Sequence, residues 1–180
     1  YKGEAQAPPA EVKIELPVDA HLPHDYVPGE RLRLEAYQKL ASVQDEAGVA
    51  AIEEELRDRY GMPPEPVTNL IEVARLRTVA RLAGLSDISA QGAFVRFGPV
   101  PAEAMPDSRR LRLQRLYPGS IVKDQLGHLL IPRPMTARVG GKPVRDTAVL
   151  RWAADVIRAV LVDNVGDAAR VATNGKDLRP

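Results

Sequence analysis

The chain has 180 residues, 44% of them hydrophobic, which is enough for one compact core with irregular ends. Its 25 basic and 24 acidic residues leave a net charge of +1, so the overall charge gives no reason to expect nucleic acid or an anionic membrane as a partner. Cysteine is absent, which excludes disulfides, thiolate nucleophiles and cysteine-bound metal sites.

No stretch approaches about 18 uninterrupted apolar residues, and no basic-then-apolar leader opens the chain. We therefore expect a soluble, cytoplasmic protein that does not enter a membrane. Because residue 1 is Tyr and not Met, we also expect a piece of a longer polypeptide.

The first 29 residues contain no helical pattern. Residues 1–11 lack periodicity and are predicted to be a linker from a preceding domain. Val12, Ile14 and Leu16 then alternate with charged residues, which predicts a half-buried extended segment before Pro17. The stretch 20–29 is too rich in proline for a helix, so we expect it to lie extended along the fold.

Three helices are predicted next, over 30–42, from an Asp45 N-cap to Gly61, and over about 65–83. Gly61 can adopt positive φ and close the second helix, and Pro63 and Pro64 prevent its continuation. The third helix should be the central packing element, because it carries two overlapping apolar stripes: Val67, Leu70, Ile71 and Ala74, then Val73, Leu76, Val79, Ala80 and Ala83.

After Gly84 the apolar period shortens, which predicts strands. We expect one hairpin turning at Gln91-Gly92, with Val95 and Phe97 on one face, and a second hairpin formed by 120–123 and 128–131. Between the hairpins we expect a helix over 107–117, although the alternation of Leu111 and Leu113 with arginines would also suit a strand. After the hairpins we expect a final amphipathic helix. The predicted helix N-caps are Asp107 or Ser108, and Asp146.

The predicted fold class is therefore α+β: three N-terminal helices followed by a ββαββα unit with a small antiparallel sheet made by local pairings. We predict one domain over 12–162. Residues 163–180 are polar and are expected to be a disordered tail.

A search for catalytic groups is mostly negative. Gly140-Gly141-Lys142 resembles the end of a phosphate loop, but Pro143 stands where Ser or Thr is required, so we predict a turn. His21, His24 and Asp25 are close in sequence, yet Pro23 prevents the helical geometry that would align two histidines on a metal. We predict no catalytic, cofactor-binding or metal-binding residues.

Two charged surfaces are candidates for binding. Glu55 and Asp58 are three residues apart on the second helix and could pair with arginines of a partner, although residue type alone favours a solvated face. The second candidate is a nucleic-acid-binding surface on the helix over 107–117. The alternative for this helix is a solvated face or ion pairs within the domain. Its basic residues are Arg109, Arg110, Arg112 and Arg115.

Several runs together resemble the C-terminal domain of bacterial transcription-repair coupling factor. They are ELPVDAHLPHDYV at 15–27, RLRLEAYQKLA at 31–41, ELRDRYGMPPEPV at 55–67, VARLR at 73–77 and LQRLYPG at 113–119. The resemblance covers about residues 12–161. It leaves the two tails unexplained, and it gives no role to the basic helix.

This resemblance implies a function for the chain. The parent of that family is an ATP-driven DNA translocase that dislodges stalled RNA polymerase and recruits nucleotide excision repair, and no helicase motif is present here. The resemblance implies a non-enzymatic regulatory domain without its own cofactor, ATP belonging to the parent. It implies docking on the N-terminal repair-subunit-like region, which hides the surface for the damage-recognition ATPase UvrA. Positions Glu55 and Asp58 are implied to meet arginines of that region.

Overall fold

The computed structural model describes residues 11–162. The predicted tail at 163–180 and nearly all of the predicted linker at 1–11 lie outside this range, and the domain boundaries stay predictions. The helices are α1 (Glu30–Ser42), α2 (Glu46–Tyr60), α3 (Glu65–Leu82), α4 (Asp107–Leu116) and α5 (Asp146–Val156). The strands are β1 (Lys13–Glu15), β2 (Asp87–Gln91), β3 (Phe94–Gly98), β4 (Ile121–Lys123) and β5 (His128–Pro132).

The α+β class is confirmed, with all five strands in one sheet of order β1-β2-β3-β5-β4. The expectation of local pairings alone is wrong for β1, which pairs in parallel with β2, Ile14 opposite Ile88. The chain between these strands holds three helices, so the pairing is a long crossover. The predicted half-buried extended segment is therefore a parallel edge strand, and the sheet is mixed.

Two hydrophobic cores lie along α3. A helical core forms between α1, α2 and the first half of α3, where Val67 and Ile71 are fully buried. A sheet core forms between the strands, α4, α5 and the second half of α3, where Leu76 and Ala80 are fully buried. The two predicted stripes of α3 are thus confirmed, and each stripe enters a different core.

The predicted helix caps have mixed outcomes. Asp45 caps α2, accepting a hydrogen bond from the Gly48 amide at 2.8 Å. The Asp107 or Ser108 cap is wrong: Pro106 occupies the N-cap of α4, and no side chain caps that helix. The Asp146 cap is also wrong, because Arg145 holds the N-cap of α5 and also makes no side-chain cap.

Asp146 instead ties α5 to the N-terminal segment. Its φ is +57°, its amide donates to the Pro17 carbonyl at 3.0 Å, and its Oδ1 accepts from the Asp19 amide at 3.0 Å and from Asn69 Nδ2 at 3.3 Å. Asn69 Nδ2 also donates to the Asp19 carbonyl at 2.9 Å. The proline-rich segment is therefore fastened to α3 and α5 by hydrogen bonds.

Both hairpins are present, with small shifts. The first turns at Gly92-Ala93, one residue later than predicted, because Gln91 still pairs with Phe94. Val95 and Phe97 share the buried face, as predicted. The final helix continues after Val156 as a π-helical turn at Ile157–Leu161. No helix within 11–162 is long and apolar enough to cross a membrane.

Candidate interdomain contact surface

Helix α2 carries the two acidic candidates on its solvent side. Val49 and Leu56 are buried in the helical core, so the charged residues occupy the other sides of the helix. Glu55 and Asp58 are one helical turn apart and present two carboxylates on neighbouring positions of the same face. Their position therefore depends on how firmly α2 is held.

The C-terminal end of α2 is fixed by Gly61 and Tyr26. Gly61 has φ +87°, and its amide donates to the Arg57 carbonyl at 2.9 Å. The Tyr26 hydroxyl, from the proline-rich segment, lies 2.8 Å from the Gly61 carbonyl oxygen and 3.2 Å from that of Leu56. Tyr26 thus donates to the carbonyl oxygen of the C-cap residue Gly61, which has no partner within α2.

Aromatic contacts add to this anchor. The rings of Tyr26 and Tyr60 pack at a centroid distance of 5.7 Å, and the Arg59 guanidinium lies 5.2 Å from the centre of the Tyr60 ring. The pKa of the Tyr26 hydroxyl is raised, mainly by burial. The charge of Arg57 opposes this rise, and Tyr60 adds to it. The hydroxyl therefore stays a neutral donor at ordinary pH.

The side of α2 that faces α3 is held by one arginine. Arg75 Nε lies 2.8 Å from Glu46, its Nη2 3.2 Å from Glu53, and its Nη1 2.5 Å from the nearly buried Glu72. Burial alone lowers the pKa of Arg75, but the hydrogen bonds and charges of the three glutamates outweigh it and raise the pKa. Because Glu46 and Glu53 belong to α2, this arginine fixes the rotation of the acidic helix.

Glu55 already has partners within the domain. Its carboxylate lies 2.9 Å from Lys39 Nζ of α1 and 3.8 Å from Arg59 Nη1, and its side chain is 39% exposed. An incoming arginine would have to share this carboxylate with Lys39. Glu55 can therefore join a contact between domains only in competition with an existing ion pair.

Asp58 differs from Glu55 in this respect. Its side chain is exposed and makes no hydrogen bond or ion pair with any residue in 11–162. Asp58 is thus a carboxylate on a rigid helix face without a partner in the described part of the domain. It is the more accessible of the two predicted contact residues.

The four arginines of the alternative surface lie on α4, and three of them bind backbone carbonyls. Arg109 Nη1 donates to Ala104 at 3.0 Å and Arg112 Nη1 to Ala159 at 3.0 Å. Arg110 donates to Met105 at 2.6 Å and to Asp124 at 2.8 Å; its hydrogen bond with Asp124 is the main cause that raises its pKa. Arg115 is exposed.

These contacts fasten α4 to the segment before it, to the loop after β4 and to the π-helical turn. Each contact uses a guanidinium N–H group that could otherwise bind a phosphate of a nucleic acid. The geometry favours a structural role for three of the four arginines. Nucleic-acid binding by this helix stays a prediction.

The histidines have separate surroundings. His21 Nδ1 lies 2.9 Å from Asp19 Oδ1. Within residues 11–162, no group of three or more His, Asp or Glu side chains is placed to hold a metal ion. The structure therefore offers no metal centre in the part of the chain that it describes.

Sequence reasoning missed three residues that position the acidic face: Tyr26, Lys39 and Arg75. Tyr26 lies in a proline-rich stretch whose local pattern predicts only an extended chain. Lys39 is exposed on α1 and Arg75 lies largely buried on α3, and nothing in the spacing pairs either residue with α2. The one signal in the sequence was the excess of glutamates on α2, because carboxylates packed against other helices are expected to pair with cations there.

The TRCF domain family matches residues 16–107, which include α1 to α3 and the first hairpin. The transcription-repair-coupling factor of Mycobacterium bovis is 42% identical over 153 residues, 84% of this chain and 12% of that protein. The factor of Escherichia coli is 33% identical over 89 residues, 48% of this chain and 8% of that protein.

The fold agrees with this match. A crystal structure of the C-terminal domain of transcription-repair coupling factor superimposes with a TM-score of 0.65 at 15% identity, over 83% of this chain and 91% of that one. The chain spans about an eighth of the length of its mycobacterial relative. From the family match over the helical core and the first hairpin, the chain belongs to the TRCF domain family.

Proposed function

We propose that this chain is the C-terminal regulatory domain of an ATP-dependent DNA translocase that couples transcription to nucleotide excision repair in the cytoplasm. The proposal is supported by the TRCF family match and by the names of the relatives, which are transcription-repair-coupling factors. In this proposal ATP, DNA and RNA polymerase are bound elsewhere in the longer polypeptide. The present domain is not an enzyme.

We further propose that the acidic face of α2 docks on the N-terminal repair-subunit-like region of the same polypeptide. Docking would cover the surface that binds the damage-recognition ATPase and so would inhibit recruitment until the translocase engages polymerase. The observation that carries this proposal is Asp58: an exposed carboxylate without a partner in residues 11–162, one turn from Glu55, on a helix that Tyr26 and Arg75 hold in place.

The energetics suit a reversible contact. An exposed ion pair contributes about 0–1 kcal/mol, so two carboxylates meeting two guanidiniums give a modest stabilisation that a conformational change can overcome. Because the Lys39 pair with Glu55 must be shared on docking, the net gain at Glu55 is the smaller one. Asp58 should therefore contribute more of the docking energy.

The test is the double variant Glu55→Arg with Asp58→Arg, measured by calorimetry for binding to the isolated N-terminal region. Attraction becomes repulsion at both positions, so we expect the docking affinity to fall at least about tenfold, or about 1.4 kcal/mol. The melting temperature of the domain should fall by only a few degrees, because the pairs that Glu55 loses with Lys39 and Arg59 are exposed.

The matched control is Glu30→Arg with Glu103→Arg, which makes the same change in net charge at two exposed acidic residues on other elements. Docking of this control should stay within about twofold of wild type. If both variants lose the same docking affinity, the effect is one of net charge and not of the α2 face. If the α2 variant docks as well as wild type, the proposed contact is refuted.

A further inference from the structure

A second charged surface lies on the segment 133–145, between β5 and α5 in the chain, here called the basic hairpin. It is a short two-stranded structure. The Thr136 amide donates to the Lys142 carbonyl at 2.8 Å, the Val144 amide donates to the Pro134 carbonyl at 2.9 Å, and Met135 bridges to Pro143. The backbone of this loop is therefore ordered before any partner binds.

The glycines of the sequence motif close this hairpin. Gly140 has φ +70°, and a Cβ on Gly141 would lie 2.4 Å from the Ala137 carbonyl oxygen. The Lys142 amide also donates to Thr136 Oγ1 at 3.0 Å. The prediction of a turn at Gly140-Gly141-Lys142 is confirmed, and the turn fixes where the neighbouring basic side chains emerge.

The charge of the hairpin is of one sign. Residues 125–145 contain four basic residues and no Asp or Glu, namely Arg133, Arg138, Lys142 and Arg145. Arg133 is half-buried and donates to the Gly92 carbonyl at 3.3 Å. The side chains of Arg138, Lys142 and Arg145 are exposed and make no ion pair or hydrogen bond with residues 11–162.

The acidic residues that flank this segment do not neutralise it. Asp124 pairs with Arg110 at 2.8 Å, and Asp146 accepts hydrogen bonds from the Asp19 amide and from Asn69. Both carboxylates are thus used inside the domain. The positive charge of the hairpin is left for a partner.

An exposed apolar tip accompanies the charge. Val139, at the turn, is 89% exposed, and Met135, in the paired part of the hairpin, is 48% exposed. The segment contains no aromatic residue on which an unpaired base could stack. Several proteins bind the minor groove of duplex DNA with cations and an inserted apolar side chain. A two-stranded ribbon is also narrow enough to enter the major groove.

We propose that the basic hairpin binds the phosphate backbone of duplex DNA without sequence specificity, with its apolar tip at a groove. The inference does not depend on docking by α2, because it uses other residues on another part of the surface. It also places the nucleic-acid contact on three hairpin cations without partners in residues 11–162, and not on α4, where three of the four guanidiniums bind backbone carbonyls.

The test uses the 180-residue chain and a labelled 24-base-pair duplex in fluorescence anisotropy at 50 and 200 mM NaCl. With three phosphate contacts, counterion release predicts that affinity falls about 40-fold over this fourfold rise in salt. The variant Arg138→Gln, Lys142→Gln and Arg145→Gln should bind at least about tenfold more weakly at 50 mM, and its affinity should change less than about fourfold with salt.

The matched control is Arg31→Gln, Arg59→Gln and Arg158→Gln, which removes the same three charges from exposed sites on α1, α2 and the π-helical turn. Its affinity should stay within about twofold of wild type. Four outcomes would overturn the proposal: no duplex binding at 50 mM NaCl, equal loss in both triple variants, equal affinity for single-stranded DNA, or equal affinity for poly-glutamate.

Discussion

The hydroxyl group of Tyr26 lies 2.8 Å from the carbonyl oxygen of Gly61, across 35 residues of sequence. This contact joins the proline-rich segment to the end of α2 and so to the acidic face. Its position explains why the segment before α1 is ordered although it forms no regular secondary structure. The stability of α2 should therefore depend on a residue that lies outside every helix.

Tyr26→Phe removes this hydroxyl and keeps the ring. We expect the free energy of unfolding in urea to fall by about 1–2 kcal/mol, because the part-buried Gly61 carbonyl oxygen loses its donor. Tyr60→Phe is the control, since the Tyr60 ring packs in the same cluster but its hydroxyl has no hydrogen-bond partner in residues 11–162. If both variants lose the same stability, the contact with Gly61 is not the cause.

Alkaline pH should act on the same hydroxyl. Burial raises the folded pKa of Tyr26 above its usual value of 10.0, so its contribution to stability is full below pH 10 and is lost as pH rises towards the folded pKa. Burial raises the pKa of Tyr117 in the same direction. Unfolding curves from pH 8 to 11 should show wild-type stability falling above pH 10, and less steeply in Tyr26→Phe. An equal slope in both proteins would contradict this assignment.

Gly61→Ala tests the end of α2. A Cβ there would have no atom within 4 Å, so the cost comes from the backbone alone, at φ +87° and ψ −168°. Only glycine adopts this region readily, and we expect a loss of about 1–3 kcal/mol in urea unfolding. Met62→Ala, at the next residue and 79% exposed, should be neutral within about 0.5 kcal/mol. A neutral Gly61→Ala would show that the turn can rearrange.

Arg75→Met removes the cation that α2 and α3 share. Glu72 has a side chain only 9% exposed and would keep Arg151, at 3.8 Å, as its nearest cation. We expect a loss of about 2–4 kcal/mol by urea unfolding, because a nearly buried carboxylate is left poorly compensated. Arg57→Met is the control: this residue is 52% exposed and 4.0 Å from Glu53, and should cost less than about 0.5 kcal/mol. Similar losses in the two variants would exclude a special role for Arg75.

Lys39→Met tests the competition for Glu55. If the proposed partner arginine shares this carboxylate, removing Lys39 should strengthen docking on the N-terminal region by about two- to fivefold in calorimetry. Lys13→Met removes the same charge from a pair with Glu15 on the edge strand β1 and should leave docking unchanged. No gain in Lys39→Met would mean that Glu55 stays paired inside the domain, leaving Asp58 as the contact.

The sequence determined the elements whose causes are local. Apolar spacing predicted the ends of α1 to α3 within a residue or two. The two apolar stripes of α3 correspond to the two cores, because the helical period decides which residues share a face and can be buried together. Gly61 and the following prolines fixed the end of α2 for a similar reason, since backbone dihedrals are a property of single residues. The acidic face that holds Glu55 and Asp58 follows from the same periodicity.

The tertiary structure alone decided what depends on distant partners. Strand β1 pairs in parallel with β2. The alternation of apolar and charged residues in β1 is compatible with parallel and with antiparallel pairing, so it could not predict this. Asp146 and the arginines of α4 are used inside the domain, because each meets a carbonyl, an amide or a carboxylate that the fold brings near. Whether a charge is available to a partner depends on such neighbours. Asp58 and three cations of the basic hairpin have none among the described residues, whereas three of the four α4 arginines bind within the domain.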